Sequence, residues 1–103
     1  MPRVKICGLR RERDLAVAAA AGADAVGFIC DVDVETDREV APSQAAELVE
    51  RTPPFVTPVL VTMPDTVDAA VELAERVSPD AIQIHANFSP TEVAELGTRT
   101  NCD

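Results

Sequence analysis

Hydrophobic and polar positions along this 103-residue chain follow two periods. A period of two marks four short strands, near residues 3–7, 24–29, 55–62 and 80–85, where successive side chains take opposite faces. A period near 3.6 marks the stretches between them. Residues 10–14 are charged and residues 15–21 alanine-rich, a helix that Gly22 stops. Pro42-Ser43-Gln44 opens a second helix running to about Arg51, and Thr52-Pro53-Pro54 breaks it. Pro64-Asp65-Thr66 opens a third, with Val67, Ala70, Val71, Ala74 and Val77 on one stripe. Ser89 with Glu92 three residues on is a capping box for a fourth, predicted to end near Leu96 ahead of a frayed polar tail. Pro58 falls inside the third strand. It is expected at a sheet edge, or where its missing N–H has no partner to lose.

Strand, helix and strand within about thirty residues make a βαβ unit with parallel strands and a right-handed crossover. The chain holds four βα units in succession. In the first strand Val4 and Ile6 share one face, and Lys5 and Cys7 the other. In a β/α barrel the even positions meet the helices. Lys5 and Cys7 then face inward, with Cys7 at the C-terminal end, where such barrels place their chemistry. The alternative is that Cys7 is a small buried hydrophobe. The fourth strand repeats the pattern, with Ile82 and Ile84 on one face and Ala81, Gln83 and His85 on the other. His85 ends that strand as Cys7 ends the first, either as a hydrogen-bonded structural group or as a site residue. Residues 31–39 form a nearly all-acidic loop after the second strand. Arg38, its only base, either offsets nearby carboxylates or offers a cation to an anionic ligand.

Charge and composition narrow the classes. A net charge of −9 argues against binding a nucleic-acid backbone or an anionic membrane. With no Trp, no Tyr and three Phe, the core must come from aliphatic residues, as in two-sided parallel sheets. Cys7, Cys30 and Cys102 form no CxxC pair, and there is no signal-like leader or long apolar run. A reduced, cytoplasmic protein is expected. One histidine and no ligand cluster argue against a metal, and no dinucleotide fingerprint or P-loop occurs.

Lys5-Ile6-Cys7-Gly8-Leu9, the run from Ala20 to Phe28 (Ala-Ala-Gly-Ala-Asp-Ala-Val-Gly-Phe), Pro53-Pro54-Phe55-Val56 and Asp80-Ala81-Ile82-Gln83-Ile84-His85 resemble the phosphoribosylanthranilate isomerase family of tryptophan biosynthesis. The likeness covers essentially the whole chain in order. It departs at Thr36-Asp37-Arg38-Glu39-Val40, where the family usually reads Ser-Pro-Arg-Tyr-Val. A second departure is His85-Ala86-Asn87, in place of His-Gly-Asp or His-Gly-Glu. A third is Thr62-Met63-Pro64, in place of an asparagine-type loop.

The resemblance implies a (β/α)8 barrel, of which four units are the N-terminal half. It implies a cofactor-free Amadori rearrangement of N-(5-phosphoribosyl)anthranilate to an aminodeoxyribulose phosphate. It maps the general base onto Cys7 and an anthranilate-carboxylate contact onto Arg38. Lys5 and His85 are expected as further substrate-binding residues, with Lys5 also favouring the Cys7 thiolate. The family's general acid ends a fifth strand and its phosphate loops follow strands seven and eight. The 103 residues alone are therefore expected to turn over weakly or not at all. Two alternatives stay open: a non-catalytic half-barrel that associates with itself or with a complementary C-terminal half, and another phosphosugar enzyme of the same barrel class.

Overall fold

The structure is a computed structural model and describes residues 3–32 and 36–100. Four strands and four helices alternate: β1 (Lys5–Cys7), α1 (Glu12–Ala20), β2 (Ala25–Ile29), α2 (Pro42–Glu50), β3 (Thr57–Thr62), α3 (Val67–Val77), β4 (Ala81–Ile84) and α4 (Pro90–Arg99). All pairings are parallel and the sheet order is β1-β2-β3-β4, so the sequence order is also the spatial order. This is an open, β/α-barrel-like sheet with its helices on one face.

Register fixes the faces. Cys7 pairs with Gly27, Gly27 with Val59, and Val59 with Ala81. Odd-numbered residues of every strand therefore share one face, and even-numbered residues the other. The even face carries the core. Val26, Phe28 and Leu60 are fully buried there with Leu15, Ala18, Ala45 and Leu48 of the helices. A second cluster joins Val67, Ala70 and Val71 of α3 to Leu96 of α4, with Ile84 packed against it. Thr62 is the one buried polar side chain among the described residues, and its hydroxyl donates to the Asp31 carbonyl at 3.3 Å.

The helix ends follow local chemistry. Gly22, at φ +92°, lets Ala23 N–H reach Ala18 O and Gly22 N–H reach Ala19 O, both at 3.1 Å, which satisfies the last carbonyls of α1. The Thr66 hydroxyl caps α3 by accepting from Ala69 N–H. The Ser89–Glu92 capping box forms as expected.

Several boundaries differ from the sequence reading. β3 begins at Thr57, because Phe55 belongs to the turn after Pro53-Pro54 and is 96% exposed. α1 begins at Glu12, since Arg11 is extended and Arg10 serves a loop. α4 continues through Gly97 to Arg99. Arg99 pairs with Asp68 at 2.7 Å, and the Thr98 and Thr100 hydroxyls donate back to Glu95 O and Leu96 O, so that stretch is helical where fraying was expected. Pro58 lies in an interior strand, not at an edge. Thr57 N–H donates to Asp24 O on the β2 side, so by alternation the Pro58 nitrogen faces β4. Pairing with β4 starts only at Val59, and no ladder bond is lost.

Candidate active site

The odd face is bare of helices. Lys5, Cys7 and His85 are exposed on it and Gln83 is half-buried. Val59 and Val61 of β3 are each 7% exposed there. Cys7 is thus not a small buried hydrophobe. It closes β1 at the C-terminal edge of the sheet, with a free thiol.

Two glycines shape the space around Cys7. Gly27 is its ladder partner, and a Cβ there would stand 2.9 Å from Cys7 Sγ and 3.3 Å from Cys7 Cα and Val61 Cγ2. Only hydrogen leaves room for the thiol. Gly8 turns the chain out of β1 at φ +82°, while its N–H and that of Leu9 both donate to Gly27 O, at 3.0 and 3.3 Å. Leu9 then enters the core and anchors the turn.

The bare surface of Gly8 is covered by Arg38. A Cβ at Gly8 would lie 2.8 Å from Arg38 Cδ, and Arg38 Nη1 approaches Gly8 O at 3.5 Å. The loop after β2 is held to reach this point. Glu39 bridges Ile29, Val40 N–H donates to Ile29 O at 2.8 Å, and Arg10 Nη1 donates to Asp37 O at 2.7 Å. Gln44 Nε2 in turn donates to Arg10 O. The structure therefore brings Arg38 next to the Cys7 turn. Residues 33–35 of the acidic run, and Cys102, lie outside the described residues.

His85 and Lys5 share the face with Cys7 but not its neighbourhood. His85 stands one residue past β4, at the opposite edge of the sheet. Three strand spacings separate it from Cys7, on the order of 14 Å along the sheet. Its backbone N–H donates to Thr62 O at 3.0 Å and its Nε2 lies 2.9 Å from Gln83 Nε2. Lys5 sits one layer below Cys7. It lines a hollow at the N-terminal end of the strands with Arg3, Val4, Asp24, Ala25 and Thr57, away from Arg38.

Cys30 is the counterpart of Cys7 on the even face. It is fully buried and its thiol donates to Val40 O at 3.2 Å. Burial, reinforced by the carboxylates of Asp31 and Glu39, pushes its pKa up to about 12, so it stays a neutral thiol. Sequence reasoning passed over the roles of Gly27, Arg10, Gln44 and Gln83. Only the glycine beside the cysteine, in Cys7-Gly8, carried a local signal. The other contacts join residues far apart in the chain.

A thiol and an arginine stand at the C-terminal edge of parallel strands, opposite the helices, and the fold is of the β/α-barrel class, whose members carry their sites at that edge. The family model for N-(5'-phosphoribosyl)anthranilate isomerase matches residues 4–101, and the chain belongs to that family. It is 56% identical over 103 residues to the N-(5'-phosphoribosyl)anthranilate isomerase of Natronomonas pharaonis, covering 100% of this chain and 50% of that protein. It is 55% identical over 102 residues to that of Halobacterium salinarum, covering 99% of this chain and 47% of the relative. The chain thus spans about half the length of the curated relatives it matches. Among solved structures, the phosphoribosylanthranilate isomerase of Thermotoga maritima superposes with a TM-score of 0.87 at 30% identity, over 97% of this chain and 48% of that one. A phosphoribosylanthranilate isomerase in complex with reduced 1-(o-carboxyphenylamino)-1-deoxyribulose 5-phosphate superposes equally well, at 0.87 and 30%, over 97% of this chain and 50% of that one. No described helix is long and apolar enough to cross a membrane.

Proposed function

We propose that residues 1–103 form one domain, the N-terminal half of a (β/α)8 barrel, and carry the general-base half of an Amadori isomerisation in tryptophan biosynthesis. The substrate is N-(5-phosphoribosyl)anthranilate, and no cofactor takes part. Cys7 as thiolate takes the C2 proton of the ring-opened iminium. The C2–H electron pair becomes the C1–C2 double bond, and the iminium π pair moves to nitrogen and neutralises it. The resulting enol then tautomerises to the ketone. An anionic sulfur beside a cationic intermediate is electrostatically favoured. Arg38 holds the anthranilate carboxylate, His85 contacts the substrate, and Lys5, one layer below Cys7, favours its thiolate. The observation that carries this reading is the exposed Cys7 thiol at the end of β1, with Gly27 keeping space beside it and Arg38 laid across Gly8. The setting that suits it is the reducing cytoplasm, where an exposed free thiol persists.

Strands five to eight, supplied by a continuation of the chain or by a partner, bring the acid and the phosphate loops. The test mixes this chain with the C-terminal half of the Natronomonas pharaonis relative and follows loss of anthranilate fluorescence, which no Trp or Tyr of this chain obscures. Turnover is expected in the mixture, and Cys7→Ser should lower it at least about 100-fold. A Cys7→Ser mixture as active as the wild type overturns the assignment. The bare odd face and the short edge strands β1 and β4 also favour a second reading, self-association of the isolated chain. Sedimentation at several concentrations checks it, and a strictly monomeric chain removes it.

A further inference from the structure

We propose that Arg10 is a positioning residue for Arg38: by clasping the Asp37 carbonyl it fixes the peptide from which Arg38 springs, and so sets how tightly the substrate carboxylate is held. This role rests on the proposed contact between Arg38 and anthranilate, and adds to it the residue that prepares that contact. Arg10 Nη1 donates to Asp37 O at 2.7 Å. A guanidinium only donates and a carbonyl only accepts, so no reassignment of atoms reverses the bond. Asp37 O and Arg38 N–H belong to one planar peptide, so holding the oxygen orients the nitrogen as well. That nitrogen donates to Thr36 Oγ1 at 3.2 Å. Arg10 is itself held. It is half-buried and follows Leu9, which lies in the core. Gln44, in the first turn of α2, donates through Nε2 to Arg10 O, and a flipped amide would set two carbonyl oxygens against each other.

Arg38 needs such a hold. It is exposed, its stem lies over Gly8, and its guanidinium makes only a long approach of 3.5 Å to Gly8 O. Asp37 and Glu39 flank it, and their carboxylates compete for a guanidinium that is free to swing. After Arg38 the backbone is pinned by Val40 N–H on Ile29 O. Before it, among the described residues, Arg10 is the only one outside the loop that bonds to Thr36 or Asp37. Fixing the loop ahead of binding removes an ordering cost that the substrate would otherwise meet. The carboxylate takes no part in the bond changes at C1 and C2 of the sugar. Its contact is therefore alike in ground state and transition state, and disturbing it acts on KM and not on kcat.

The test measures KM and kcat in the mixture of this chain with the C-terminal half of the Natronomonas pharaonis relative. Arg10→Ala should raise KM about tenfold and change kcat less than about twofold. Arg10→Lys, which keeps a donor, should recover part of the loss. In an Arg38→Ala background, Arg10→Ala should add less than about twofold, because its effect passes through Arg38. An unchanged KM in Arg10→Ala overturns the proposal, as does an equal rise with Arg38 already removed. A wild-type KM in Arg38→Ala is a different failure: it removes the Arg38 contact itself, and the role of Arg10 with it. The chain alone supplies a readout without turnover. The 15N heteronuclear NOE of the Arg38 amide should fall in Arg10→Ala, while Val40, bonded to Ile29 O, keeps its value and shows that the fold is intact. Gln44→Ala should lower the Arg38 value by less, and it replaces Arg10→Ala if that variant does not fold. An Arg38 amide no more mobile in these variants overturns the proposal whether or not the mixture turns over.

Discussion

Val26, Phe28, Leu60 and Thr62 are sealed against the helices, while Lys5, Cys7 and His85, one residue out of phase with them, stand exposed on the other side of the same sheet. The two thiols at the strand ends make the contrast sharp. Cys7 follows the odd parity and is free and exposed; Cys30 follows the even parity, is fully buried, and donates to Val40 O. The same side chain is thus either available for chemistry or committed to packing, and a shift of one residue in register decides which. The main core and the proposed site occupy opposite faces of one layer, so they can be perturbed separately.

The largest effect should come from emptying the even face. Phe28→Ala removes a fully buried ring and should cost about 3–5 kcal/mol, a large share of what a domain of this size has. Thr57→Ala, on the odd face and exposed, should stay within about 0.5 kcal/mol. Urea unfolding followed by far-UV circular dichroism compares them. Similar losses for the two variants would break the division of labour between the faces.

Thiol labelling sharpens it further. Cys7 should react in the folded chain, and Cys30 only as fast as its surroundings open, a rate ratio of at least about 100. Mass-spectrometric mapping of the labelled peptides separates the two from Cys102. If Cys30 labels as fast as Cys7, the even face is not sealed. If Cys7 stays inert until the chain unfolds, its place as the general base loses its support.

The division was legible in the first and fourth strands, because it follows from period-two alternation, and both kept the predicted parity. α3 came out at its predicted residues, Val67–Val77, since an amphipathic stripe and an N-cap are both local signals. Ends set by partners distant in the chain were not legible. Phe55 looked like the start of β3 by hydrophobicity alone, yet the ladder begins where Asp24 offers a carbonyl to Thr57 N–H. Arg99 extends α4 because Asp68, 31 residues away, receives it. Around Cys7 the pattern named the thiol and the arginine. It did not show that Gly8 and Gly27 are the spaces into which Arg38 and the Cys7 thiol fit.

Those spaces can be probed by a matched pair of glycines. Gly8 and Gly22 both have φ in the left-handed region, so alanine at either pays the same backbone strain, about 1 kcal/mol. Beyond this, Gly22 has nothing within 4 Å of a new Cβ, whereas Gly8 would press on Arg38 Cδ at 2.8 Å. Gly8→Ala should therefore lose about 1 kcal/mol more than Gly22→Ala. Equal losses, measured in the same urea titrations, would show that the Arg38 stem does not rest on Gly8.

The smallest effect is a slope. Burial on the even face raises the folded-state pKa of Cys30 from 9.0 to about 12. Below pH 9 the thiol is neutral in both folded and unfolded chains, and its contribution to stability is fully present. Between pH 9 and 12 the unfolded chain sheds this proton and the folded chain keeps it, so stability falls as pH rises, by up to about 1.4 kcal/mol per pH unit. Near pH 12 the folded thiol ionises too and the decline from this group levels off. The chain has no tyrosine and a single lysine, so few side-chain types other than cysteine belong to this pH range. Urea midpoints collected from pH 8 to 11 should show the slope in the wild type. Cys30→Ala should flatten it, at some cost in absolute stability. A slope that survives Cys30→Ala would mean that the Cys30 thiol is not sealed on the even face as the register places it.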